Sequence, residues 1–146
     1  MMEEHRLVGL SLAVFDDYGK VTTRTFGSKA RGGPAMEDTT AFSTASLSKP
    51  VTALLCLVLA SEGAIDLDAP IADYLTRWKL PDSTVPGSAG VTWRHLLTHT
   101  GGTSQHGFAD FYQGDSLPTL VDSVEGRLPR YDKPIAFLFS PGKGWK

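Results

Sequence analysis

The sequence contains a single cysteine, Cys56, among its 146 residues. One cysteine excludes an intrachain disulfide, so the cysteine count gives no sign of an oxidising compartment. Cys56 lies inside the apolar run of residues 51–60, and the simplest interpretation of it is a small buried hydrophobic residue.

An excess of charge of one sign and long hydrophobic runs are also lacking. The formal net charge is −2, and no block of like charges would match a nucleic acid or an anionic membrane surface, so we expect neither as a partner. The apolar run of residues 51–60 is too short to span a bilayer. The first residues, M-M-E-E-H-R-L, lack the apolar region of a signal peptide. This favours a cytoplasmic protein, although a secreted or periplasmic protein that has lost its leader would give the same sequence.

What is present is the composition of a soluble globular domain, with 41% hydrophobic and 21% charged residues. Residues 8–15 alternate between apolar and small side chains, and D-D-Y-G-K supplies a turn before the strand formers of residues 21–26. This pattern predicts a β-hairpin over residues 8–26.

The strongest helical pattern runs from residue 46 to residue 62. Polar residues cluster at its start, and Gly63 follows as a C-cap. Its middle is apolar on nearly every face, which predicts a helix buried within the domain. In particular, we expect Leu54, Leu55, Val58 and Leu59 to be almost wholly buried.

Shorter helical patterns fill residues 63–146, which we interpret as a helical subdomain with loops. A short helix is predicted within residues 65–75, with Pro70 near its first turn. Thr92 can cap another that ends at Gly101, and a third is predicted over residues 117–125. Strands followed by helices indicate an α+β fold. A lone hairpin is marginal in water, so we expect the rest of the sheet to lie outside this sequence.

The segment S-T-A-S-L-S-K-P at residues 43–50 places Ser46 and Lys49 three residues apart where the long helix begins. That spacing puts both side chains on one helix face, so that the lysine amine can reach the serine hydroxyl. A serine becomes a good nucleophile when a neighbouring base takes its proton. An amine can do so in its neutral form, which burial against an apolar helix favours. A serine in this place is also a common N-cap, so the spacing alone leaves both interpretations open.

The wider sequence resembles the serine β-lactamase and penicillin-binding-protein superfamily. The resemblance rests on F-S-T-A-S-L-S-K before the long helix, on L-A-S-E-G-A-I-D-L-D-A-P-I, on V-T-W-R-H-L-L-T-H-T-G-G and on the final F-S-P-G-K-G-W-K. These segments run in the family's order over almost all of residues 1–146. They are most similar to its class C-like branch, which includes family VIII carboxylesterases and D-amino-acid-specific peptidases.

The resemblance implies that Ser46 is the acylated serine, that Lys49 is its general base, and that the backbone N–H of Ser46 forms half of the oxyanion hole. It implies an antiparallel sheet flanked by helices, with a helical subdomain, of which residues 1–146 form the N-terminal portion of a single domain. The family's second motif, Tyr-x-Asn, is absent, because neither Tyr112 nor Tyr131 has an asparagine two residues on. The third motif, which resembles HxG or KTG, is absent too. We therefore expect an N-terminal fragment whose partner is the C-terminal remainder of the same protein, possibly as a second chain.

Two other chemistries, metal binding and a Ser-His-Asp triad, are not favoured by the sequence. His95 and His99 have a workable metal spacing, but H-L-L-T-H lacks the glutamate of H-E-x-x-H and a third ligand, so we expect no metal and no cofactor. The resemblance makes this segment structural, with His99 packing the turn before Gly101. A Ser-His-Asp hydrolase would carry G-x-S-x-G, which the T-A-S-L-S around Ser46 does not match.

The resemblance therefore implies a serine hydrolase that acts on a small-molecule ester or amide through an acyl-enzyme. A carboxylesterase-like enzyme is favoured because no leader places the protein with periplasmic cell-wall enzymes. The alternatives are a β-lactamase, a D,D-peptidase or D-aminopeptidase, and a slowly acylating penicillin-binding sensor. The same Ser/Lys machinery serves all of them, and the substrate is chosen by loops.

Overall fold

The computed structural model describes residues 2–105, 107, 110–128 and 132–146. Tyr131, considered above for the tyrosine motif, lies outside these ranges. The chain divides into two compact units, Met1–Ser46 and Leu47–Lys146, and each is described by itself.

The first unit contains the expected hairpin. Strand β1 (Gly9–Phe15) pairs antiparallel with β2 (Val21–Gly27), with Leu12 opposite Arg24 in the middle of the register. At the turn, the Asp16 carboxylate accepts hydrogen bonds from the backbone N–H groups of Tyr18 and Lys20, each at 3.0 Å. These are the only two strands in the described part of the chain, which confirms the hairpin and leaves the larger sheet untested.

The second unit begins with the long helix, α1 (Ser48–Ser61). A 3-10 turn (Ala45–Leu47) precedes it, so the helix starts two residues later than the sequence suggested. At its end, Gly63 has a φ of 75°. The N–H of Gly63 donates to the carbonyl of Ala60 at 3.1 Å, and that of Ala64 donates to the carbonyl of Leu59 at 2.9 Å. This bonding pattern satisfies the last carbonyls of the helix, whose C-cap residue is Glu62, and Gly63 supplies the left-handed residue directly after the cap, one position beyond Glu62.

The expected burial of α1 is wrong for the chain as described. Leu54 is 61% exposed, Leu55 57% and Val58 43%, and Leu59 is half-buried. Cys56 alone is buried, at 7% exposed, as the sequence predicted. An apolar pattern on every face predicts that a helix will be covered, but the described residues offer this helix too few packing elements to cover it.

The core of the second unit lies instead further along the chain. Ile71, Val91 and Phe137 are buried together, and the N–H of Ile71 donates to the carbonyl of Val91 at 2.9 Å. The helix predicted within residues 65–75 is reduced to a 3-10 turn (Ile71–Asp73). Pro70, with an extended ψ of 132°, is the N-cap of this turn.

Two short helices complete the secondary structure, and each begins at a capping box. Helix α2 (Trp93–Leu97) is capped by Thr92, as predicted, and the Thr92 hydroxyl accepts a hydrogen bond from the N–H of His95. The predicted end at Gly101 is wrong, because the helix ends at Leu97 with Thr98 as its C-cap. Helix α3 (Leu120–Val124) begins at the extended Thr119 and so is shorter than the predicted 117–125. No helix in the described ranges has the length and apolar character to cross a membrane.

The last residues of the chain pack against the turn that follows α2, and we call this contact the C-terminal clasp. The N–H of Leu138 donates to the carbonyl of Gly102 at 2.8 Å, that of Gly142 to Thr100 at 2.8 Å, and that of Lys146 to His99 at 3.0 Å. Gly102 has no room for a side chain, because a Cβ there would collide with the carbonyl of Phe139. The clasp therefore ties together two segments that the sequence analysis treated separately.

Candidate active site

Ser46 lies in the middle of the 3-10 turn Ala45–Leu47, directly before α1, and is exposed. The N-cap position of α1 is held by Leu47, whose side chain forms no cap hydrogen bond. Ser46 is the residue before it and so lies at the positive end of this 14-residue helix.

Ala45, the residue before Ser46, has a φ of 42°. A positive φ is uncommon for a residue with a Cβ and is strained for alanine, which has no polar side chain to compensate. Strained backbone of this kind clusters at functional sites. The sequence analysis missed Ala45, since an alanine between threonine and serine carries no signal of a left-handed conformation.

Lys49 is the second residue of α1, and it is exposed. Pro50 follows it in the first helical turn, where its missing N–H costs no helical hydrogen bond. Ser48 opens the helix, and its carbonyl accepts a hydrogen bond from the Thr52 hydroxyl at 3.1 Å. The local chain thus places Ser46 on a turn and Lys49 on the helix that continues it, while the contact between their side chains stays a prediction.

The burial expected to favour a neutral lysine amine is not found in the chain as described. Lys49 is exposed, and so are its helical neighbours Val51 and Leu54. The same lack of packing elements that leaves α1 uncovered leaves its first turn in solvent.

The two histidines weighed as metal ligands have other contacts. The Nδ1 atom of His95 accepts the backbone N–H of Thr92 at 3.2 Å as part of the capping box. His99 has a φ of 60°, and the centre of its ring lies 5.9 Å from that of Trp145. Within the described ranges, no group of three His, Cys, Asp or Glu residues could hold a metal ion.

The charged groups with perturbed pKa values belong to the scaffold. A side-chain hydrogen bond from Arg94 lowers the pKa of Asp68, and Arg94 donates to both of its carboxylate oxygens at 2.7 and 2.8 Å. Hydrogen bonds from Thr119, with a further one from Arg127, lower the pKa of Asp122 to about 2. Both pairs join short elements of the second unit.

Comparison with known proteins places the chain among enzymes and binding proteins that share a domain. The family model described as Beta-lactamase matches residues 1–146. The chain is 32% identical to esterase EstB of Burkholderia gladioli over 99% of its length and 38% of that protein. It is 34% identical to penicillin-binding protein 4 of Amycolatopsis lactamdurans over 82% of its length and 31% of that protein. It is 29% identical to acyltransferase calJ of Penicillium decumbens over 93% of its length and 35% of that protein.

These relatives are much longer than the region they share with the chain, which spans 38% of the esterase. No solved structure matches the chain significantly. The family model matches the chain from end to end, and the described hairpin and helices agree with the α+β class that the sequence predicted. The chain therefore belongs to the beta-lactamase family.

Proposed function

We propose that the protein carrying this chain is a serine hydrolase that cleaves small esters through an acyl-enzyme, with Ser46 as nucleophile and Lys49 as general base. The observation that carries the proposal is the position of Ser46, which is exposed on a strained turn at the start of α1 with Lys49 three residues on. The similarity to an esterase over 99% of the chain supports the choice of substrate class.

The proposed reaction starts with the neutral amine of Lys49. As the Ser46 Oγ attacks the ester carbonyl, its proton passes to Nζ and the carbonyl oxygen becomes an oxyanion. The backbone N–H of Ser46 donates to that oxyanion, helped by the positive end of the α1 dipole. The carbon–oxygen bond to the alcohol then breaks, and the alcohol leaves with the proton held on Lys49. Water releases the acid from the acyl-enzyme by the reverse proton path, and no cofactor takes part.

The remaining groups of the site are proposed to lie in the C-terminal remainder of the protein. The chain spans between 31% and 38% of the three relatives described. The resemblance leads us to expect a tyrosine within about three positions after Lys146 and a further strand that supplies the second oxyanion donor. The sequence that follows Lys146 is the direct test of this expectation.

The second candidate is a protein that reacts with β-lactams or D-amino-acid peptides, either with turnover or as a slowly acylating sensor. The observation that favours it is the 34% identity to penicillin-binding protein 4 over 82% of the chain. Both candidates use Ser46 in the same way and differ in the acyl group and in the rate of deacylation.

The test uses the full-length protein and p-nitrophenyl butyrate. We expect steady release of nitrophenol and a butyryl adduct on Ser46 detectable by mass spectrometry in rapidly quenched samples. Ser46→Ala should abolish both, whereas the matched variant Ser48→Ala, two residues further along the chain, should retain both. Steady hydrolysis of a chromogenic β-lactam in place of the ester would favour the second candidate, and a burst that stops at one equivalent would indicate the sensor. Full ester hydrolysis by Ser46→Ala would contradict the proposal in either form.

A further inference from the structure

We propose that Ala45 is a positioning residue whose left-handed backbone aims the N–H of Ser46 at the oxyanion. The inference rests on the proposed function, in which Ser46 supplies both the attacking hydroxyl and an oxyanion donor. The methyl side chain of Ala45 has no group that could react or form a hydrogen bond, so the proposed effect acts through the backbone.

In the described part of the chain, three residues other than glycine have a positive φ, namely Arg6, Ala45 and His99. Ala45 has the shortest side chain of the three and cannot form a side-chain hydrogen bond that would compensate for the strain. Nonetheless the chain holds Ala45 at 42° where residues 41–44, which belong to no helix or strand, meet the 3-10 turn Ala45–Leu47.

The covalent geometry then links this conformation to Ser46. The N–H of Ser46 belongs to the planar peptide unit that joins Ala45 to Ser46, so it cannot rotate independently of that plane. The backbone angles of Ala45 set the direction of the plane relative to the chain that precedes it. A change from the left-handed region to an ordinary negative φ would therefore swing the donor away, even with the Ser46 side chain intact.

The choice of alanine at this position has a physical reason. Glycine would adopt the same φ without strain but would leave the peptide free to sample other orientations. A β-branched residue would resist the left-handed region strongly. Alanine permits the left-handed φ and allows fewer other peptide orientations than glycine. Backbone strain of this kind persists only where the surrounding structure enforces it.

The test compares Ala45→Gly with Ala45→Val in the full-length protein. Because glycine relieves the strain, Ala45→Gly should raise the melting temperature and keep kcat within about threefold of the wild type. Ala45→Val should lower kcat by about 10- to 100-fold at unchanged KM, as expected for a misplaced transition-state donor. Its affinity for a boronic acid that places an anionic oxygen in the oxyanion site should fall in parallel. Titration of the sites that can be acylated gives the concentration of folded enzyme, and kcat is calculated from that concentration.

Arg6, with a φ of 54°, provides the matched control. Arg6→Gly and Arg6→Val change the same backbone preference outside the segment of Ser46 and should shift the melting temperature while leaving kcat unchanged. A folded Ala45→Val variant with wild-type kcat would overturn the inference. A lower melting temperature for Ala45→Gly would also overturn it, and this melting temperature can be measured even if Ala45→Val does not fold. Full activity of Ser46→Ala would instead contradict the proposed function, and the melting temperatures of the Ala45 variants would still test the strain at Ala45.

Discussion

At the scale of single residues, Lys49 is the group on which the proposed proton transfer depends. Lys49→Ala in the full-length protein should abolish most acylation, because the Ser46 hydroxyl then has no neighbouring amine to accept its proton. The loss in Lys49→Ala combined with Ser46→Ala should equal that of Ser46→Ala alone, since the two groups act as a unit. Rates of acylation by p-nitrophenyl butyrate measure both effects.

The exposed Lys79 of the same unit gives the control for the loss of a positive charge. Lys79→Ala should acylate at the wild-type rate. If Lys49→Ala also acylated at a near-normal rate, lysine would not be the base.

Asp122 provides a prediction for acidic pH. Its pKa falls from 3.8 to about 2 on folding, mainly through its hydrogen bonds with Thr119. Since the folded pKa lies below the unfolded one, the carboxylate stabilises the fold fully above about pH 4, and this contribution is lost as the pH falls toward 2. The difference in melting temperature between the wild type and Asp122→Asn should therefore shrink between pH 5 and pH 2. A constant difference for Asp122→Asn would contradict the assignment.

Some residues of the candidate site can be named from the sequence, and others become apparent only in the folded chain. Ser46 and Lys49 could be predicted because their spacing is read directly from the chain and the flanking segments resemble a known family. Ala45 could not, because alanine itself prefers other conformations and nothing in its sequence neighbourhood signals a φ of 42°. The charges around Asp68 and Asp122 were not predicted either, since each pair joins residues whose contact depends on the folded chain.

At the scale of elements, the ends of the helices followed from local chemistry. Thr92 at the start of α2 and Gly63 at the end of α1 lie where the sequence predicted caps, because a capping residue acts on backbone groups within a few positions of itself. The environment of α1 did not follow in the same way. An apolar pattern reports that a surface is suited to burial, whereas the burial of Leu54 depends on elements far away in sequence.

The cap at Thr92 leads to a prediction for stability. Thr92→Ala should lower the free energy of unfolding by about 1 kcal/mol, because the N–H of His95 loses its side-chain acceptor. Chemical denaturation of the full-length protein measures the loss. Thr84→Ala, at an exposed threonine in a loop, should change stability by less than about 0.5 kcal/mol. Equal effects of the two variants would show that the cap contributes nothing.

At the scale of the whole molecule, the apolar surface of α1 is the main feature without a covering element in the described residues. Exposed leucines and valines extend along it, including Val51, Leu54, Leu55 and Leu57. Contiguous apolar surface of this kind normally marks a contact. Because the chain spans 38% of the related esterase, we propose that the remainder of the protein covers this helix.

This proposal predicts the effect of truncating one α1 side chain in the full-length protein. Leu54→Ala should cost about 2–5 kcal/mol of unfolding free energy, as for other buried leucines. An effect below about 0.5 kcal/mol, typical of surface substitutions, would mean that the helix face stays in solvent. Glu62→Ala, at the exposed C-cap position of the same helix, controls for general weakening of α1 and should have little effect.

The core of the second unit has a consequence for the chain as it is synthesised. Ile71 and Val91 are joined in the core by Phe137, which leaves the ribosome 46 residues after Val91. At about 5–20 residues per second, the delay is about 2–9 s. During that time the nascent chain can form α2 and its cap, but its core lacks Phe137 and the clasp that anchors the segment behind it. A pause in translation within residues 92–136 would therefore lengthen the period in which chaperones can bind the open core.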